Sequence, residues 1–140
     1  MCSSDLDAAM RPVPGRAPLL PWLTTCVAAA RAFELAVIDG VFENVEDAVG
    51  FAAECSQGRD LGMDGKSIIH PRQVESCNEA FSPSADDVAW AITVVAAFER
   101  PENAQRASVI IDGRVVERFY ERRARRIVEN ARIIRSFDSN

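Results

Sequence analysis

One short stretch of the chain, Asp64–Pro71, limits the possible folds more than any other. It begins with a glycine-containing turn, continues through a β-branched pair, and ends at His70 and a proline, which cannot continue a strand. We therefore predict a buried strand over Ser67–His70. A similar run upstream predicts a strand over Ala36–Asp39.

A helical pattern lies between these two strands. Asn44 is the predicted N-cap of this helix, and its apolar stripe includes Val49 and Cys55. Gly58 and Gly62 are expected to end it. A strand, a helix and a second strand in this order make a βαβ unit, so the sequence predicts an α/β fold with parallel strands.

The polar residues at the ends of the strands are the candidate ligand-binding residues. Parallel strands joined by a right-handed crossover end at the same edge of their sheet, and α/β proteins bind ligands at that edge. We therefore predict that Asp39, His70 and the adjacent Pro71 bind substrate. Lys66 precedes its predicted strand and is expected on the opposite, stabilising face. The alternatives are that Asp39 caps a loop and that His70 only hydrogen-bonds to the backbone.

Composition and charge exclude several classes of function. With 140 residues and 48% hydrophobic content, the chain can form one modest core. Its net charge of −5 argues against a nucleic-acid partner. No apolar run approaches membrane-spanning length and the start resembles no signal peptide, so we predict a cytoplasmic protein without a membrane partner.

The cysteines do not form a metal-binding pattern. The chain has four cysteines, which lie far apart, and a single histidine to complete a site, so no metal centre is predicted here. Cys26 and Cys55 lie on apolar faces of predicted helices. We expect both to pack in the core as small hydrophobic side chains.

The remaining elements follow from periodicity and turn signals. Helices are predicted over 19–33 and 73–80, and Ser84 is expected to cap a third helix with Asp87 in a capping box. Asp112 and Gly113 indicate a turn between two extended runs over 107–116. The inner face of the third helix is predicted to carry Val88, Ala91, Ile92 and Val95. The last helix is predicted over 118–135.

Several motifs in the chain occur in the order and spacing of one known family. On these motifs the chain resembles the citrate lyase beta-chain and malyl-CoA lyase family, within the HpcH/HpaI aldolase group of CoA-ester lyases. The resemblance covers nearly everything after residue 7. The motifs are the alanine-rich run Ala28–Ala32, Val37–Val41, Gly58–Lys66, Ile69–Pro71, Gln73, Asn78, Phe81–Ser84 and Asp112–Glu117.

The resemblance implies a TIM (β/α)₈ barrel, of which this chain would hold the C-terminal part with the last two strands. Residues 1–18 would be an irregular N-terminal segment, 19–99 a partial barrel domain, and 100–140 a hairpin and helical extension. The whole would be helix-rich. The opening Cys2–Leu6 also matches the translation of a common sequencing adapter. We therefore expect a reading frame truncated at its 5′ end, with some leading residues not native.

The resemblance also implies an activity. The family cleaves or forms a carbon–carbon bond beside a CoA thioester, as when malyl-CoA or citryl-CoA gives acetyl-CoA and an oxo acid. It uses a magnesium ion held by a Glu and an Asp, which would lie in the missing N-terminal half. The acidic residue after the hairpin, Glu117 here, acts as a general acid in a neighbouring subunit, so a homo-oligomer is implied. Many members carry Asp at this position and some carry Glu. The alternative is that Glu117 is a solvated carboxylate near a helix start, where acidic residues are favoured by the helix dipole.

Two questions stay open at the level of sequence. The arginines of the last helix could attract the phosphates of CoA, but such a cluster is more often a solvated face paired with Glu121 and Glu129. The short chain could also be a non-catalytic, helix-rich binding or assembly module instead of part of a lyase. As part of a lyase, the isolated chain is expected to be inactive and, because the open barrel exposes apolar faces, marginally stable or prone to aggregate.

Overall fold

A computed structural model describes residues 16–138 of the chain. Most of the segment predicted to be irregular, and the Cys2–Leu6 stretch within it, lie outside the described residues. The described residues form five α-helices and four short strands. In chain order these are α1 (Leu20–Ala32), β1 (Ile38–Asp39), α2 (Ala48–Leu61), β2 (Gly65–Lys66), α3 (Val74–Phe81), α4 (Ala85–Glu99), β3 (Ser108–Ile111), β4 (Arg114–Glu117) and α5 (Phe119–Asp138).

The chain divides into two compact units between Phe81 and Ser82. The first unit contains α1 to α3 with β1 and β2, and the second contains α4, the strands β3 and β4, and α5. The division predicted from sequence falls later, after residue 99, and therefore groups α4 with the first unit. No helix among residues 16–138 is both long and apolar enough to cross a membrane.

The two strands of the first unit are parallel and lie on either side of α2 in sequence. Asp39 is opposite Lys66 in the register. Asp64 extends the pairing, because its N–H donates to the carbonyl of Val37 and its carboxylate accepts from the N–H of Val37, each at 2.8 Å. The predicted βαβ order is confirmed. The predicted position of the second strand is wrong, because the ladder to β1 closes with the N–H of Ser67 on the carbonyl of Asp39 at 2.9 Å.

Helix α2 begins later than predicted. Its N-cap is Asp47, whose carboxylate accepts from the N–H of Gly50 at 2.8 Å, and not Asn44, which lies in the preceding turn. Its buried residues are Phe51, Cys55 and Gly58, which lie at helical spacing on one face. Val49, predicted in the stripe, is 82% exposed. The helix ends at Gly62, as predicted, and Gly62 adopts φ +95°, a left-handed conformation that favours glycine. Gly58, also predicted to end the helix, lies inside it.

The core of the first unit consists of two small apolar clusters. Cys55 is fully buried in one of them, as predicted. Cys26 is exposed, so its predicted core position is wrong. The reason is that α1 buries the neighbouring positions Leu23 and Val27. The clusters are Leu19, Leu23, Val27 and Met63, and separately Phe51, Cys55 and Cys77.

The second unit is built on a capped helix and a tight hairpin. The hydroxyl of Ser84 accepts from the N–H of Asp87 at 3.0 Å and the Asp87 carboxylate accepts from the N–H of Ser84 at 3.3 Å, which confirms the predicted capping box. The antiparallel strands β3 and β4 are joined by Asp112 at φ +50° and Gly113 at φ +77°. Two positive φ angles define a type I′ turn, which matches strand twist.

The core of the second unit lies between α4, the hairpin and α5. The inner face of α4 differs from the predicted one, because Ile92 is 52% exposed and Val94 is buried. Spacing from Ala91 explains this, since positions 91, 94 and 98 follow the i, i+3, i+7 pattern. The buried members are Ala91, Val94, Phe98, Val109, Ile111, Val116 and Ala124.

Candidate functional site

Four charged side chains meet where β1 and β2 end. The Nζ atom of Lys66 lies 3.1 Å from Oδ2 of Asp39 and 2.5 Å from Oε1 of Glu54 on α2. Arg16, just before α1, places Nη1 2.7 Å from Oδ2 of Asp39 and 3.1 Å from Oε1 of Glu54. We name Arg16, Asp39, Glu54 and Lys66 the ionic cluster.

The ionic cluster is buried and balanced in charge. The side chains of Asp39 and Lys66 are 1% and 0% exposed, and those of Arg16 and Glu54 are 13% and 20% exposed. Two cations therefore face two carboxylates, with Asp39 and Lys66 shielded from water and Arg16 and Glu54 at the edge of the cluster. Such a group is stable only while each charge keeps its partners, because an unpaired buried charge costs several kcal/mol.

The structure corrects the sequence interpretation of Lys66. We predicted it on the opposite face from Asp39, because the second strand was placed after it. Since β2 is Gly65–Lys66, Lys66 is the last strand residue and pairs directly with Asp39. Sequence reasoning also missed Arg16 and Glu54 as members of the cluster. The one available signal was that Lys66 is the only lysine of the chain.

Asp39 has little capacity left to accept further hydrogen bonds. Its Oδ2 accepts from Nη1 of Arg16 and Nζ of Lys66, and its Oδ1 accepts from Nη2 of Arg16 at 3.1 Å and from the N–H of Gly40 at 2.9 Å. A carboxylate offers about four acceptor directions. A ligand donor would therefore have to displace one of these four, and the carboxylate anchors the Gly40 backbone where β1 ends.

Glycine at position 58 of α2 allows the carboxylate of Asp39 to approach the helix. A Cβ atom at this position would lie 3.1 Å from Oδ2 of Asp39 and 3.5 Å from the Phe81 ring. The space beside the ionic cluster thus accommodates a hydrogen atom but only poorly a methyl group.

His70 and Pro71 form the start of a single 3₁₀ turn, Pro71–Gln73. The N–H of Arg72 donates to Nδ1 of His70 at 3.2 Å. Because Nδ1 is an acceptor, a neutral imidazole carries its proton on Nε2. The predicted alternative, a histidine bonded to backbone, is therefore observed, and it leaves Nε2 as the side of the ring able to donate to a ligand.

Gln73 joins the two loops that follow the strands, a role that sequence reasoning did not assign. Its side chain is in the core, since the residue is 3% exposed. Oε1 accepts from the N–H of Ile69 at 2.9 Å, and Nε2 donates to the carbonyl of Phe42 at 3.0 Å. A buried amide with both ends bonded holds the loop after β1 and the loop after β2 in one arrangement.

Glu117 is the last residue of β4, opposite Ser108 of β3. The residue is exposed, and no hydrogen bond or ion pair holds its carboxylate in the part of the chain that the structure describes. The next acidic residue, Glu121, differs: it accepts from Arg118 at 2.9 Å and from Arg125 at 2.8 Å. Of these two carboxylates, only that of Glu117 is available to a ligand.

The arginines of α5 form ion pairs along its exposed face. Arg125 pairs with Glu121 and Glu99, and these hydrogen bonds raise its pKa. Arg132 pairs with Glu129 at 2.8 Å, a hydrogen bond that lowers the pKa of Glu129. The pairs favour the solvated-face interpretation. A groove of about 350 Å³ lies on the helix near its start and is lined by Arg118, Phe119, Glu121, Arg122 and Arg125.

Residues 16–138 contain no cluster of three or more acidic, histidine or cysteine side chains that could hold a metal ion. Asp39 and Glu54 each bind both Arg16 and Lys66. A divalent cation there would face Arg16 and Lys66 at short distance, so these residues do not fit a magnesium ion.

Comparison with known proteins gives consistent results. The family model described as HpcH/HpaI aldolase/citrate lyase matches residues 2–71. The (3S)-malyl-CoA thioesterase of Cereibacter sphaeroides is 40% identical over 138 residues, covering 99% of this chain and 48% of that protein. The L-malyl-CoA/beta-methylmalyl-CoA lyase of the same species is 36% identical over 117 residues, covering 81% of this chain and 37% of that protein.

A solved structure extends the similarity to three dimensions. CitE from Mycobacterium tuberculosis, in complex with magnesium, acetoacetate and coenzyme A, is similar with a TM-score of 0.65 and 27% identity. The match covers 86% of this chain and 45% of that structure. The chain thus spans about half the length of the relatives that it matches, or less.

Proposed function

The chain belongs to the HpcH/HpaI aldolase/citrate lyase family, and from this premise we propose that it is the C-terminal part of a magnesium-dependent CoA-ester lyase. The intact protein breaks a carbon–carbon bond of a 3-hydroxyacyl-CoA resembling malyl-CoA or citryl-CoA, and releases an acetyl-CoA-type product and an oxo acid. The observation that carries this proposal is the 36% identity to a malyl-CoA lyase over 81% of the chain. The isolated chain is inactive.

The proposal assigns β1 and β2 to the last two strands of a TIM barrel in a cytoplasmic protein. A parallel pair needs further strands beside it and cover on both faces. The apolar side chain of Ile38 in β1 is 56% exposed in the chain, which supports additional structure at this sheet. The magnesium ligands lie outside the described residues, because the ionic cluster does not fit the ion.

In this proposal Glu117 is the general acid. Its protonated carboxyl group donates to the carbon of the thioester enolate, so that a C–H bond forms as the O–H bond breaks and a carboxylate remains. Two features support it: the side chain is exposed and unbound in the described chain, and it lies at the end of a hairpin strand. The residue serves the site of a second copy, so the active protein is a homo-oligomer.

Asp39, His70 and Pro71 are proposed to contribute to substrate binding where β1 and β2 end. His70 offers its Nε2 proton to an oxygen of the oxo acid or thioester, and Pro71 limits the shape of the loop. Asp39 contributes through the backbone, because its carboxylate holds the N–H of Gly40 at 2.9 Å.

One observation favours a second candidate, hydrolysis of the thioester. The relative with 40% identity over 99% of the chain is a (3S)-malyl-CoA thioesterase. Both candidates act on the same class of CoA ester and differ in the bond that breaks. A lyase breaks carbon–carbon, and a thioesterase breaks carbon–sulfur and releases free CoA.

The first test is the genomic sequence upstream of Met1. A reading frame that continues and supplies a Glu and an Asp able to hold magnesium on earlier barrel strands supports the proposal. A stop codon and ribosome-binding site directly upstream would favour the binding or assembly module. The longer protein is then incubated with malyl-CoA and magnesium. An oxo acid trapped as its phenylhydrazone indicates a lyase, whereas a free thiol without oxo acid indicates a thioesterase.

A further inference from the structure

The side chain of Arg118 donates four hydrogen bonds within the second unit. Its Nε donates to the carbonyl of Arg106 at 2.8 Å, and Nη2 donates to the carbonyls of Asn103 at 2.6 Å and Ala104 at 3.0 Å. Nη1 donates to Glu121 at 2.9 Å. The guanidinium also stacks over the ring of Phe98, 4.7 Å from its centroid. Hydrogen bonds to carbonyls and stacking together fix a planar cation in one orientation.

These contacts lie on the residue that directly follows Glu117. The N–H of Arg118 donates to the carbonyl of Ala107 at 2.7 Å, so the backbone of the residue is held as well as its side chain. The segment that Arg118 binds, residues 103–107, leads into β3, whose first residue pairs with Glu117. Arg118 therefore holds together both chain segments that place the backbone of Glu117.

We infer that Arg118 is a positioning residue, which fixes the exposed carboxylate of Glu117 for proton transfer while leaving that carboxylate unbound. The inference rests on the proposed function, in which Glu117 is the acid. Such positioning is needed because a glutamate side chain has three torsions, and no partner in the described chain fixes those of Glu117. Its position depends on the backbone beneath it, and displacement by about 1 Å can cost on the order of 100-fold in rate.

A double-mutant cycle tests this inference in the longer protein, with Arg118→Gln, Glu117→Gln and the double variant. Arg118→Gln is expected to lower kcat by roughly 10- to 100-fold with little change in KM, because binding contacts remain and proton transfer suffers. The double variant is expected to match Glu117→Gln alone, since Arg118 acts through Glu117. Multiplying losses in the double variant would show a general structural role and overturn the inference.

Two further variants separate positioning from folding. Arg118→Lys keeps the charge beside Glu121, but its three donors share one nitrogen and cannot serve three carbonyls and Glu121 together, so its kcat is expected to fall between wild type and Arg118→Gln. Arg132→Gln removes an exposed ion pair of the same helix and is expected to leave kcat unchanged. Wild-type kcat in Arg118→Lys together with unchanged kcat in Arg118→Gln would overturn the inference while Glu117 stays the acid.

Hydrogen exchange in the 140-residue chain gives a readout without catalysis. Arg118→Gln is expected to speed exchange of the amides over 103–118, and Arg132→Gln is expected to leave them unchanged. Unchanged exchange in Arg118→Gln overturns the inference whatever the kinetics show. Full activity of Glu117→Gln overturns the proposed acid instead, and the inference with it. The failure of each idea thus has its own signature.

Discussion

Replacing Lys66 by Met should destabilise the first unit strongly, because it leaves two buried carboxylates with one cation. At an effective dielectric constant of about 20, the attraction of Lys66 to Asp39 across 3.1 Å is about 5 kcal/mol. Much of this offsets the cost of burying the charges. Removing one partner from a buried pair costs about 3–5 kcal/mol, and Lys66 has two partners. We therefore expect a loss of at least about 3 kcal/mol.

The stability of Lys66→Met is compared with that of the double variant Asp39→Leu/Lys66→Met. That variant removes one cation and one carboxylate, and leaves Arg16 paired with Glu54 across 3.1 Å. The remaining charges are balanced, so the double variant is expected to be more stable than Lys66→Met alone. A loss in the double variant that equals or exceeds the sum of the single losses would refute the reasoning.

The free energy of unfolding is measured by urea denaturation at low protein concentration. The chain has two tryptophans, Trp22 in the first unit and Trp90 in the second, so Trp90→Phe makes the fluorescence report on the first unit alone. Arg72→Met is the matched control. It breaks the exposed pair with Glu46 and is expected to cost less than about 1 kcal/mol. If Lys66→Met is unfolded even without urea, a measurable unfolding transition in the double variant would still show that the double variant is the more stable.

Four further predictions concern other residues. Gly58→Ala should lower the stability of the first unit by about 1–2 kcal/mol, although alanine has the better helix propensity. The new methyl group would lie 3.1 Å from the Asp39 carboxylate, which cannot move. An unchanged urea midpoint would contradict this prediction. Ser84→Ala should cost the second unit about 1 kcal/mol through the lost cap, measured from Trp90 emission in a Trp22→Phe background. In the native protein, the exposed thiol of Cys26 should react quickly with a thiol reagent, whereas the buried thiol of Cys55 should be protected. Burial, with a smaller contribution from the thiol of Cys77, raises the pKa of Cys55 from its ordinary 9.0 to about 11, so the folded state holds the proton more tightly than the unfolded state. The stabilising contribution should therefore be full below about pH 9 and be lost towards pH 11. Cys55→Ala should abolish this dependence of stability on pH.

Local signals were sufficient where a structure depends on neighbours in sequence. The turn at Asp112 and Gly113 was predicted correctly because positive φ angles are a property of the residue types. The capping box of Ser84 and Asp87 was predicted correctly because its partners are three residues apart. His70 was correctly foreseen as a possible backbone acceptor for the same reason, since its partner Arg72 is two residues away.

Local signals failed where burial depends on distant partners. The β-branched residues Ile68 and Ile69 suggested a strand, but β1 supplies hydrogen bonds only as far as Ser67. Cys26 and Val49 looked like core residues, but neighbouring positions of the same helices face the core. Rotating a helix face by one residue changes few local preferences but changes which side chains are buried. Shifting a strand by two residues likewise changes few local preferences but changes which residues pair with the neighbouring strand.

By itself, the sequence determined the order of elements, the α/β class, the hairpin and the family to which the chain belongs, because these depend on residue types at short and regular spacing. Only the tertiary structure decided the ionic cluster of Arg16, Asp39, Glu54 and Lys66, whose members come from four separate parts of the first unit. It likewise decided the hydrogen bonds from the Arg118 side chain to the carbonyls of residues 103, 104 and 106. A lysine can be buried only where folding brings carboxylates to it, and an arginine can bind three carbonyls only where the chain folds back upon it.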